Sequence, residues 1–149
     1  IMAVLGGQII GRLIDRYGTI PLIFFGQFFL MTASILFAFG SSISFYHILY
    51  TYMFASIGFA AVNSSISNEV TRILPQEDIG AGMGILQLTQ FIGGAIGVTV
   101  SGLLMTLQEG WIASVMFRNI YLVLFMLLCL SSLILVFYSK RSRRLYESD

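Results

Sequence analysis

Asn63, Gln87 and Gln90 are uncharged amides placed inside long apolar runs, where each offers a hydrogen-bond donor and an acceptor. The groups able to carry proton or ion chemistry sit elsewhere. All eight Lys and Arg and all seven Asp and Glu residues fall into short clusters. Arg12, Asp15 and Arg16 form one, and Glu69, Arg72, Glu77 and Asp78 a second. Glu109 and Arg118 form a third, and Lys140, Arg141, Arg143, Arg144, Glu147 and Asp149 close the chain. The single cysteine, Cys129, excludes an internal disulfide and a cysteine-rich metal site. The single histidine, His47, excludes a two-histidine metal centre or a histidine relay. A net charge of +1 creates no field to draw in nucleic acid. Neither a cofactor nor a metal is expected.

The segments between the clusters must position these groups. Of 149 residues, 57% are hydrophobic and 10% charged, too few polar side chains to cover a soluble domain. The charge-free runs are residues 17–68, 79–108 and 119–139. A helix needs about 20 apolar residues to cross the hydrocarbon layer. Backbone groups in lipid must be bonded internally, so helices or closed barrels are the choices. These unbroken runs do not show the ten-residue alternation of barrel strands. The expected fold is therefore all-α, a polytopic helical membrane protein. Gly40-Ser41-Ser42 divides the longest run. The expected spans are 20–39, 44–67, 80–107 and 119–139, with a tail at 140–149. Residues 1–10 are apolar but too short to cross. They read as the end of a fifth span whose beginning lies outside this sequence, or alternatively as a short re-entrant segment.

Four spans alternate the sides of the loops. Arg12, Arg16, Arg72, Lys140, Arg141, Arg143 and Arg144 fall on one side, and Arg118 alone on the other. The positive-inside rule then places the first loop, the middle loop and the C-terminus in the cytoplasm of a plasma-membrane protein.

Two faces stand out within the spans. Gln87, Gln90, Gly94, Gly97 and Ser101 share one face of the third full span. Gly80/Gly84 and Gly93/Gly97 have the GxxxG spacing that lets helices approach closely. That face reads as packing, with Gln87 and Gln90 bordering a transport path or serving only the packing. Asn63, near one face with Tyr52, Ser56 and Ser67, either bonds across helices or lines a cavity. His47 is expected at an interface and Cys129 in an apolar mid-span setting.

Gly11-Arg12-Leu13-Ile14-Asp15-Arg16-Tyr17-Gly18 resembles the cytoplasmic G-x-L-x-D-R-x-G loop of the major facilitator superfamily. Gly11, Leu13, Asp15, Arg16 and Gly18 match it, while Thr19 and Ile20 replace the usual basic pair. The resemblance implies a conformational gate at Gly11, Asp15, Arg16 and Gly18. Residues 74–104 also resemble the loop and glycine-rich helix of fourteen-span drug:proton antiporters of the tetracycline and multidrug type, which carry an E-x-G-A-G-M segment. Together the matches imply the last four and a half helices of the C-terminal half of such an exporter. Its partners would be a small-molecule substrate, protons, membrane lipid and the missing N-terminal helices. No Asp, Glu, Lys or Arg lies in the middle of any expected span, so the coupling acids would belong to the missing part. The alternatives are a facilitator for another small solute and a non-transporting membrane scaffold. A membrane-embedded enzyme is disfavoured by the lone histidine and the boundary-only acids.

Overall fold

The computed structural model describes residues 16, 18–40 and 45–146, with residues 45 and 140–146 as backbone only. The described residues form helices α1 (Thr19–Gly40), α2 (Phe45–Ile73), α3 (Ile79–Leu107) and α4 (Ala113–Tyr146). Gly18, with φ of +84°, turns the chain into α1 in a conformation that a side chain would strain. Pro75 helps stop α2, because the residue before a proline is driven away from helical angles. Gly110, with φ of +94°, makes the turn between α3 and α4. Gln108 clamps that turn. Its Nε2 donates to the Leu104 carbonyl at 2.9 Å, and its Oε1 accepts from Asn119 Nδ2 at 2.6 Å.

Helix α1 is the centre of the arrangement and packs on both α2 and α4. The α1–α2 seam is made of small residues. A Cβ built on Gly26 would lie 2.8 Å from the Gly58 carbonyl oxygen, and one on Gly58 would lie 2.7 Å from that of Gly26. The two backbones therefore touch, and each glycine makes room for the other. Steps of seven residues extend the seam through Ala33 and Gly40 on α1, and through Thr51 and Ser65 on α2, all buried. Phe29 of α1 stacks on Phe54 of α2 with centroids 5.4 Å apart. At one end His47 packs under Gly40, with Nε2 3.3 Å from the Leu36 carbonyl oxygen, a bond that needs the proton on Nε2. Lipid removes the hydrophobic drive between helices, so such close contact and polar bonds must hold them together.

On its other side α1 is bonded to α4. Gln27 Nε2 donates to Ser131 Oγ at 3.0 Å, and Ser34 Oγ donates to the Tyr121 carbonyl at 2.7 Å. Phe37 stacks on the Tyr121 ring at 4.9 Å. Helix α3 is the outlier. None of its residues is buried, and it touches α2 and α4 only lightly.

Helices α1, α3 and the Ala113–Ser139 part of α4 are long and apolar enough to cross a membrane. Helix α2 has the length, 29 residues, but Asn63, Ser64, Ser65, Ser67 and Asn68 dilute its apolarity. The helix ends depart from the charge boundaries. Helix α2 runs on through Glu69 and Arg72, which the sequence pattern assigned to a loop. Helix α4 starts before Arg118 and continues to Tyr146, through most of the expected tail at 140–149. Charge marks where the hydrocarbon layer ends, whereas Glu, Arg and Lys remain good helix formers beyond it.

Gly58→Ala should lower the thermal midpoint of the purified protein, by the roughly 1–3 kcal/mol typical of overpacking. Gly102→Ala should leave it unchanged or raise it, because a Cβ there meets nothing within 4 Å. Equal effects of the two substitutions on a detergent melting curve would contradict the seam.

Candidate functional site

Two of the amides singled out by the sequence meet. Gln90 Nε2 of α3 donates to Asn63 Oδ1 of α2 at 2.8 Å. The bond is exposed at the surface of the described helices. Gln87 stands one turn before Gln90 on α3 and is exposed. Ser56, on the same helix as Asn63, is satisfied by the Tyr52 carbonyl at 2.8 Å. The amide pair and the seating of Gly82 against Leu74 and Val70 pin the first half of α3 to α2.

The second half of α3 stands away from α4. A cleft of about 750 Å³ lies between them, floored by Gly93, Gly94, Gly97 and Ser101 and walled by Phe117 and Tyr121. Close packing was expected at Gly80, Gly84, Gly93, Gly94 and Gly97. Among the described residues it is not made: a Cβ at each would meet nothing within 4 Å. Among the described residues, two glycine backbones meet instead at Gly26 and Gly58, a contact that the sequence pattern did not single out. Its signal was available as a seven-residue repeat of small residues, Thr19, Gly26, Ala33, Gly40 on one helix and Thr51, Gly58, Ser65 on the other.

Gly11 and Asp15 of the expected gate lie outside the described residues. Arg16 is exposed, and Gly18 takes its left-handed turn directly before α1. Cys129 is half-buried on α4. Among the described residues no group of His, Cys, Asp and Glu could hold a metal ion.

The family model of the Major Facilitator Superfamily matches residues 1–148, nearly the whole chain. The chain belongs to the Major Facilitator Superfamily. It is therefore a multi-pass integral membrane protein of transporter type and not an enzyme. No solved structure matches it. For a facilitator, the arrangement divides into a tightly built α1–α2–α4 part and a lightly held α3 that carries an uncharged polar pair.

The Asn63–Gln90 bond should be measurable as a coupling. A double-mutant cycle with Asn63→Ala and Gln90→Ala in thermal unfolding should give about 0.6 kcal/mol, the average for interhelical bonds in membranes. A coupling of zero would mean that the two amides do not bond.

Proposed function

We propose that the chain is part of a proton-coupled exporter of drugs, of the tetracycline or multidrug type. The observation that carries this reading is the likeness of residues 74–104 to the loop and glycine-rich helix of the fourteen-span antiporters, alongside the D-R-x-G loop. In this reading the chain supplies the last four helices of the C-terminal half and the end of a fifth. The seven-to-one distribution of Lys and Arg supports a cytoplasmic side for the loop before α1, the α2–α3 loop and the C-terminus.

The chemistry assigned to this chain is then uncharged. Asn63, Gln87 and Gln90 border the path. Opening the Asn63–Gln90 pair exposes one amide donor and one acceptor, and a solute that bonds to both replaces what was lost. That exchange keeps both amides hydrogen-bonded in either state, which limits its cost. A proton-exchanging carboxylate must come from elsewhere in the protein, since the middles of the described helices hold none. Helices outside this chain would cover Gly80, Gly84, Gly93, Gly94 and Gly97, whose bare backbone suits close approach.

Asp15 is assigned to the gate. Its carboxylate would hold one state of the transporter through a helix N-terminus and charge-assisted bonds, the dipole part being worth roughly 0.3–2 kcal/mol. Asp15→Asn should therefore lower the transport rate several-fold at matched membrane level and change substrate affinity less. Transport kinetics in inverted vesicles, with a tetracycline or a hydrophobic cation driven by a pH gradient, test both parts. Uptake that ignores the pH gradient would sink proton coupling. Unaltered turnover, or a loss confined to affinity, would sink the gate.

A further inference from the structure

Helix α4 runs past the apolar layer that it crosses. Its charge-free stretch, residues 119–139, is about 32 Å long at about 1.5 Å per residue, which matches a hydrocarbon layer of about 30 Å. The helix then continues unbroken from Lys140 to Tyr146. That extension adds about 10 Å, enough to pass through the roughly 5–8 Å of headgroup layer on one side of a bilayer. Tyr138, 59% exposed, stands in the last turn before Lys140. A ring with a polar tip favours the edge of the hydrocarbon layer, so Tyr138 fixes the depth of this end of the helix.

The extension is basic. Lys140, Arg141, Arg143 and Arg144 lie within it. With about 3.6 residues per turn, these four positions fall on one half of the helix circumference. Ser142, Leu145 and Tyr146 fall on the other half. The unbroken helix thus gathers four basic positions on one side, at the depth of lipid phosphates. Glu147 and Asp149 follow in the sequence and leave residues 140–149 a surplus of two positive charges.

The partner that this placement fits is a phosphate-bearing headgroup. The bilayer supplies it at high local concentration, and depth alone brings it beside the helix. A zwitterionic headgroup carries an ammonium of its own, which opposes a basic segment. A headgroup of net negative charge carries none. Clusters of four or more Lys and Arg directly beyond a membrane span draw in such anionic lipids. A nucleic acid fits less well, because the whole chain carries a net charge of only +1 and the basic positions lie within the headgroup layer.

We propose that Lys140, Arg141, Arg143 and Arg144 bind anionic phospholipid headgroups and so fasten the end of α4 in the bilayer surface. The inference rests on α4 crossing the membrane and not on the exporter reading.

The test is electron spin resonance of chain-labelled lipids in phosphatidylcholine vesicles that hold the full chain. Spin-labelled phosphatidylglycerol should show a larger motionally restricted fraction than spin-labelled phosphatidylcholine with the same chains. Added sodium chloride should shrink that excess by screening. Replacing Lys140, Arg141, Arg143 and Arg144 together by Gln should remove most of it, and Gln keeps the helix propensity. Arg143→Gln with Arg144→Gln leaves two cations to hold the topology. This pair should remove part of the excess, and it serves as the test if the fourfold variant does not insert. Arg118→Gln, near the opposite end of α4, should change nothing. Equal fractions for the two lipids, an undiminished excess in the Gln variants, or an equal loss in Arg118→Gln would overturn the site. Inorganic phosphate should act no more strongly than chloride at equal ionic strength. An excess abolished by phosphate alone would reassign the segment to a soluble anion and overturn the lipid proposal. Transport is not read here, so failure leaves the exporter reading standing.

Discussion

Everything in the arrangement hangs on the contact between the Gly26 and Gly58 backbones. Inside lipid two helices gain nothing from hiding apolar side chains, because the lipid is equally apolar. They gain from dispersion at short range, and that is greatest where no side chain holds the backbones apart. Each glycine stands where a Cβ would collide with the carbonyl of the other. The seven-residue repeat of small side chains carries the same approach along both helices. With α1 and α2 locked, α4 is aligned by two hydrogen bonds to α1 and the Phe37–Tyr121 stack. What is left over is α3, with no buried residue of its own.

That division suits a transporter. A body that changes shape needs elements of differing stability, and the mobile ones have few buried contacts. Helix α3 is pinned over its first half by Asn63–Gln90 and by Gly82 against Leu74, and at its end by Gln108 and Asn119. Between those points it borders an open cleft. The bonds that hold it are neutral. Breaking them strands no charge in a low-dielectric layer.

The helical membrane class was legible because apolar run length is imposed by bilayer thickness. Less of the helix ends could be read. Glu69, Arg72 and Arg118 looked like loop residues by charge, yet all three sit in helices, since a helix does not stop where the hydrocarbon layer does. The packing glycines were sought at a four-residue spacing, which pointed to α3. The contact used a seven-residue spacing on α1 and α2, a pattern that shows only when two helices are compared. Asn63 and Gln90 were each legible as polar groups in apolar runs. Their meeting was not, because it depends on how α3 leans across α2.

The central claim is that the face carrying Asn63, Gln87 and Gln90 borders a water-filled path rather than lipid. Its most direct test is thiol labelling of a Cys129→Ser background with a membrane-impermeant charged reagent. Gln87→Cys should react readily and be protected by a transported drug. Leu133→Cys, an exposed position on apolar α4, should stay inert as a lipid-facing control. Labelling of Gln87→Cys no faster than that of Leu133→Cys, in the presence or absence of drug, would contradict the account.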